Sequence, residues 1–300
     1  MNRDSFVPLG SDRRFALQLI RQTMRDPGAL RHRVNRENVA AWRRFRQTMS
    51  SCNICGHRGT LLHEMPNREI LRQHRIGPLR ETLRCRSCFS KMRDRTVAAG
   101  LLDVMAERFD VEANTISALV DRMPEGLRVL DTDANGRIGR LLSHLPGYTV
   151  SLYQPDHEIG ADLGGGAVNV DLERMPFPDQ SFDIILSTEV MEHVRHVDTA
   201  HREIARCLSD GGTYVFTVPY DPSLTQTWKL IDPETDQELV HPPHMHGDPG
   251  LRDEGIKSYR VFGQDIVTEM RSAGLDCSFV PMERPETGIF SGDLFRATRL

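Results

Sequence analysis

Two cysteine pairs, Cys52-Asn53-Ile54-Cys55 and Cys85-Arg86-Ser87-Cys88, stand twenty-nine residues apart. Each Cys-x-x-Cys turn aims two thiolates at one point, and four sulfurs in a tetrahedron suit zinc, an ion without redox chemistry. Four protein ligands leave no open position, so the zinc expected on Cys52, Cys55, Cys85 and Cys88 is structural. The same ligand set also admits an iron–sulfur cluster, or two redox dithiols if both pairs are catalytic. Cys207 and Cys277 sit alone in apolar contexts and read as core residues, and a chain with no disulfide framework suits a reducing compartment.

Two further stretches concentrate reactive groups. His241-Pro242-Pro243-His244-Met245-His246-Gly247-Asp248-Pro249 holds three histidines and an acid. The prolines and the lack of i, i+4 helical spacing argue against a metal here, so His244 and His246 are candidate general bases on a substrate lid. Arg252 and Arg260 follow, each able to hold a carboxylate or phosphate bidentately. The other stretch is Ser187-Thr188-Glu189 with Glu192 and His193, whose imidazole is the first candidate for catalytic base.

These groups need elements to position them. After the polar turn Asp179-Gln180-Ser181, the apolar residues Phe182, Ile184, Ile185 and Leu186 predict a buried parallel strand. In an open α/β sheet ligands bind outside the carboxyl ends of strands, so Ser187 to Glu189 open onto a site. Asp183, at the strand's start, reads as structural. Leu127–Asp131, Tyr148–Tyr153 and Ala167–Val170 predict three more strands, with Gly164-Gly165-Gly166 as a turn into the last. Helices are predicted over Lys91–Phe109, Ala113–Met123, Arg137–Leu145 and Gly263–Ala273. Leu275–Val280 and Gly288–Thr298 predict a closing antiparallel hairpin.

The phrase Met175-Pro176-Phe177-Pro178-Asp179-Gln180-Ser181-Phe182-Asp183, followed by Glu192-His193-Val194, resembles the class I S-adenosylmethionine (SAM) dependent methyltransferases, in a type 11-like branch. Arg202 to Leu208 and Asp210 to Pro219 continue the likeness as that branch's helix, Gly-Gly turn and fifth strand. The likeness covers about residues 125–300. It implies an α/β, Rossmann-like seven-stranded sheet, mostly parallel with the last strand antiparallel, carrying a small amino-terminal helical and zinc-binding module. It further implies SAM as cofactor, with contacts at Asp131, Thr132, Asp133, Asn135 and Gly136 after the first strand and at Asp156 after the second. Asp171 and Leu172 would meet the adenine, while Ser187, Thr188 and Glu189 stand at the fourth strand's tip. Glu192, Arg252 and Arg260 are implied on the substrate. Where the family has a glycine-rich turn, only Gly136 remains in Thr132–Arg137, and Leu152 stands in one register of the ribose-binding acid.

Three readings of function stay open. One is O- or N-methylation of a polar small-molecule, sugar-derived or glycan-type acceptor. The second is an RNA methyltransferase that docks nucleic acid on a basic zinc module, and the third is a methyltransferase fold that has become a scaffold. Charge bears on the second: residues 1–100 carry twenty-one Lys and Arg against eight Asp and Glu, and the remainder seventeen against thirty-four. That polarity invites a polyanion, or docking of the basic third on the acidic body or on a second subunit of a homodimer. Domain boundaries are expected at 1–50 for basic helices, 51–95 for the zinc-ribbon-like module, 96–124 for linking helices and 125–300 for the catalytic domain, with an insertion at 220–260. No apolar run approaches the ~20 residues needed to span a bilayer, and the chain is expected to be cytoplasmic.

Overall fold

The computed structural model describes residues 49–63, 79–133, 136–240 and 252–300, and strand 245–248; of 63, 245–248 and 252–254 only the backbone is described. The basic helices expected over 1–50, together with His244 and Asn135, lie outside these residues.

Small ribbons build the cysteine module. β1 (Ser50–Ser51) pairs antiparallel with β2 (Arg58–Gly59), bracketing the first knuckle. β3 (Leu62–His63) pairs antiparallel with β4 (Leu83–Arg84), and the short helix α1 (Leu79–Thr82) leads into β4 and the second knuckle. α2 (Met92–Phe109) follows and does more than link. Its residues Val97, Leu101, Val104 and Met105 share one buried cluster with Cys52, Ile54, Leu79 and Leu83 of the module and with Val215 and Leu294 of the main sheet. Gly100 makes that approach close, because a Cβ there would lie 2.7 Å from both Leu294 and Val215 side-chain atoms. α2 is therefore a layer of the α/β body that the module also packs on. α3 (Ile116–Leu119) is capped by Thr115, whose hydroxyl accepts from the Ala118 N–H.

Five strands run parallel at the centre: β5 (Val129–Asp131), β6 (Tyr148–Leu152), β8 (Ala167–Asn169), β9 (Phe182–Thr188) and β10 (Leu208–Thr217), with α4 (Gly139–Leu142) between β5 and β6 and β7 (Asp162–Gly164) before β8. α5 (Val197–Cys207) joins β9 to β10. The full order is β15-β16-β10-β9-β5-β6-β8-β7, where β15 (Leu275–Arg284) and β16 (Ile289–Arg299) form the antiparallel hairpin. The seven strands expected are present, and an eighth is added. Gly164, Gly165 and Gly166 all have positive φ, so the chain reverses within them and β7 pairs antiparallel with β8 at the edge. Gly211, also at positive φ, sits in a register shift inside β10, so the Gly-Gly turn is a bulge in the strand.

α5 and α6 (Ile266–Ser272) cover the other face, where Ile185, Tyr214 and Phe295 meet Ile204 and Met270. The insertion forms two ribbons, β11 (Trp228–Lys229) with β14 (Arg260–Val261) and β12 (Met245–Asp248) with β13 (Arg252–Lys257). Among the described residues no helix is long and apolar enough to cross a membrane.

Candidate active site and four-cysteine centre

β5 and β9 are direct neighbours, with Asp131 opposite Leu186 and the Thr132 N–H donating to the Leu186 carbonyl at 3.0 Å. The strands after β5 spread one way and β9 and β10 the other, which opens a crevice at their carboxyl ends. Buried polar atoms collect there without hydrogen-bond partners among the described residues: Thr132 Oγ1, Glu189 Oε1 and Thr217 Oγ1, at the tips of β5, β9 and β10. Such atoms cost free energy unless something pairs with them, and a ligand rich in hydroxyl and ammonium groups would do so.

Asp131 is buried and accepts from the Tyr148 hydroxyl at 2.7 Å and from the Asp133 N–H at 3.0 Å. Burial, and next the charge of Asp133, push its carboxyl up to about 7. Because the folded value is raised, the stability this group contributes is present below about pH 4, where the unfolded side chain is also protonated, and is lost progressively up to about pH 7. Asp133→Asn removes the second cause and should make that decline shallower and end it at lower pH, as read from urea midpoints between pH 4 and 8. A decline left unmoved by the substitution would belong to another group.

The turn after β5 is tight despite its single glycine. The Gly136 N–H donates to the Asp133 carbonyl at 2.9 Å, and a Cβ at Gly136 would lie 2.9 Å from Asp133 backbone and side-chain oxygens. At Gly139 a Cβ would come within 3.2 Å of Asp131 Oδ2, so the start of α4 approaches the carboxylate closely. At the neighbouring tips, Leu152 ends β6 and Asp156 is exposed in the following turn. Asn169, buried at the end of β8, ties that turn down by donating to the carbonyls of Gln154, His157 and Glu158. Asp171 accepts from the Glu173 N–H in a turn, and Leu172 is buried beside it.

Beyond β9, Ser187 and Thr188 are buried, and Glu189 turns the chain with a φ of 55°. Glu192 is fully buried, and burial together with the nearby Glu189 charge holds its carboxyl well above the usual carboxylate range. His193 Nε2 lies 3.6 Å from Glu192 Oε1, and His193 Nδ1 is 2.7 Å from the Lys257 carbonyl oxygen. A carbonyl only accepts, so Nδ1 carries a proton, and Nε2 is the ring nitrogen that can exchange one.

Arg260, expected on a substrate, is instead engaged with the chain. Its guanidinium donates to the carbonyls of Val194 at 2.7 Å, Arg195 at 2.6 Å and Met191 at 3.3 Å, clamping the turn that carries His193, and burial lowers its pKa to about 10. Arg252 lies in β13 and His246 in β12, and their side chains are outside the description.

Several participants carry no motif. Arg80 of α1 forms an ion pair with Glu189 Oε2 and donates to the Val218 carbonyl at 3.1 Å. Tyr148 and Lys257 act on the site through one hydroxyl and one carbonyl. The only sequence signal for Arg80 is its place in the basic stretch between the cysteine pairs.

At the module, the four Sγ atoms lie within 4.8 Å of one another, with Cys52–Cys88 at 3.8 Å and Cys55–Cys85 at 3.7 Å. A tetrahedron with zinc–sulfur bonds of ~2.3 Å has sulfurs ~3.8 Å apart, so the cluster fits zinc. The two knuckles are alike in backbone: the Gly56 N–H donates to the Cys52 carbonyl and the Phe89 N–H to that of Cys85, and both donors have positive φ. Ser90 Oγ lies 3.4 Å from Cys52 Sγ and 3.2 Å from Cys88 Sγ, and the buried Arg95 holds Ser90 through its carbonyl at 2.6 Å.

Residues 151–216 match the model of a methyltransferase domain. An uncharacterized methyltransferase YcgJ of Bacillus subtilis is 30% identical over 89 residues, covering 30% of this chain and 32% of that protein. The ubiquinone/menaquinone biosynthesis C-methyltransferase UbiE of Pseudomonas putida is 28% identical over 204 residues, covering 57% of this chain and 75% of that protein. A solved SAM-dependent methyltransferase from Methanosarcina mazei aligns with a TM-score of 0.36 and 15% identity, over 60% of this chain and 95% of that one. The match thus spans about a third of the first relative's length and three quarters of the second's. The unpaired Thr132 Oγ1 at the tip of β5 and the close approach of Gly139 to Asp131 fit SAM in the crevice. The methyltransferase-domain match runs from the end of β6 through β8 and β9 into β10, so this part of the chain is a methyltransferase domain.

Proposed function

We propose that this protein transfers a methyl group from SAM to a polar small-molecule or sugar-derived acceptor, with His193 taking up the acceptor's proton. Asp131, Thr132, Asp133 and Gly136 would hold the cofactor at the tip of β5. SAM supplies an electrophilic methyl on a sulfonium. The chain must then align an incoming nucleophile and, where that atom carries a proton, receive it.

The observation that carries this reading is the His193–Glu192 pair at the tip of β9. The Lys257 carbonyl fixes Nδ1 as donor, which leaves Nε2 as the base, and the Arg260 clamp holds the turn against displacement. Glu192, whose carboxyl is held well above the usual carboxylate range by burial and by the Glu189 charge, stands beside the imidazole. The UbiE relatives are named as C-methyltransferases; carbon acceptors also lose a proton on methylation, so the same base serves oxygen, nitrogen or carbon. Cys52, Cys55, Cys85 and Cys88 would hold a structural zinc, which would order the module without joining the transfer.

Calorimetry with S-adenosylhomocysteine tests the cofactor half. Saturable binding is expected in the full chain, and Gly136→Val should abolish it, because the added side chain collides with Asp133. No binding by the unaltered protein at millimolar ligand would make the scaffold reading the better one.

A further inference from the structure

Arg80 reaches the crevice from outside the α/β sheet. It stands five residues before Cys85, and α1, β4 and the second knuckle form one continuous piece, anchored by the buried Leu79 and Leu83 and by Arg95, which donates to the Leu83 carbonyl at 3.1 Å. Its guanidinium bridges two strand tips, pairing with Glu189 after β9 and donating to the Val218 carbonyl after β10. Glu189 is itself held at both ends: its N–H donates to the Thr217 carbonyl at 3.0 Å, and its Oε2 is on Arg80. The side chain is nineteen-twentieths buried, and Oε1 has no hydrogen-bond partner among the described residues.

We infer that Arg80 is a positioning residue of the transfer site: by fixing Glu189 Oε2 it leaves Oε1 as a carboxylate oxygen that receives an O–H or N–H of the methyl acceptor. The acceptor role rests on the methyltransferase reading, whereas the pairing itself can be tested without it. A buried carboxylate beside a cation loses less on leaving water than one alone, and among the described residues Arg80 is the cation that touches Glu189. The other charged groups around the pair are Glu81 on α1, itself bound by Lys91 and Arg93, then Arg93 on α2, Asp293 on β16, and Glu192 and His193 on the turn. The acceptor so described carries a hydrogen-bond donor close to the atom that is methylated.

Urea unfolding at pH 7 of the full-length protein, Arg80→Met, Arg80→Lys, Glu189→Gln and the double variant Arg80→Met with Glu189→Gln, all without ligand, tests the pairing. Arg80→Met alone should lower the folding constant by at least about tenfold, because Glu189 is left buried without its contacting partner. In the double variant the losses should be far from additive, since the neutral amide no longer needs that partner. Arg80→Lys, which restores the charge, should stay near the unaltered protein. Additive losses in the double variant would show that Arg80 only packs, and would overturn the inference, as would a loss in Arg80→Lys equal to that in Arg80→Met. Calorimetry with S-adenosylhomocysteine separates the two levels: affinity within threefold in Arg80→Met is expected, since the contact is on the acceptor side. Failure of the unaltered protein to bind overturns the methyltransferase reading and the acceptor role together, whatever the unfolding shows.

Discussion

Cys85→Ser should abolish zinc binding at the four-cysteine site and lower the melting temperature of the zinc-loaded protein by more than ~10 °C. Structural zinc contributes about 10–16 kcal/mol of apparent binding energy to isolated finger peptides, and even about 5 kcal/mol of this exceeds what a few surface contacts supply. The loss would not stay local. Cys52, Ile54, Leu79 and Leu83 pack in the same cluster as α2 and the face of the sheet built from Val215 and Leu294. Without the metal the two knuckles have only short two-residue ribbons to hold them. Arg95, buried and spent on the carbonyls of Ser90, Leu83 and Gly288, would lose the thiolates that offset its charge. Cys207→Ser is the control: it alters a buried thiol in the other cluster, far from the module in sequence and fold, and should leave metal content intact. Metal analysis by mass spectrometry, read beside thermal unfolding, decides it. A Cys85→Ser protein that keeps one metal equivalent and its melting temperature would remove the zinc assignment.

The second large effect is on turnover. His193→Ala should slow methyl transfer by about 10²–10⁴-fold, the usual worth of a positioned acid or base, with S-adenosylhomocysteine affinity unchanged. The imidazole is held by a backbone carbonyl and not by the cofactor, so its loss should not disturb the tip of β5. Transfer of radiolabelled methyl from SAM to a panel of hydroxyl-, phenol- and amine-bearing small molecules measures it. Glu192→Gln keeps the shape but removes the titrating carboxyl, so it should change the pH profile of the rate more than its maximum. Unaltered turnover in His193→Ala would exclude the ring from the mechanism and point to a proton that leaves to water.

Much of the scaffold could be read locally. Phe182 to Leu186 predicted β9, and the run after Cys88 predicted α2 to within a residue, because periodic burial is written into consecutive side chains. Cysteine spacing likewise marked a four-ligand centre, since each Cys-x-x-Cys turn sets two ligands by itself. The edge strand β7 escaped because three glycines signal a reversal without saying which residues pair across it. α2 was legible as a helix but not as a layer of the body, since an apolar stripe does not name what covers it.

What the sequence determined by itself was the central strands, the closing hairpin, helix α2 and the two cysteine knuckles, all of which depend on neighbours a few residues apart. Only the tertiary structure decided which polar groups meet: Arg80 with Glu189, Tyr148 with Asp131, the Lys257 carbonyl with His193, and Arg260 with the turn it clamps rather than with a ligand. Those partners lie from 17 to 109 residues apart along the chain. A charged or hydroxyl side chain carries no local pattern that selects one partner over another, and burial of the whole fold makes the choice.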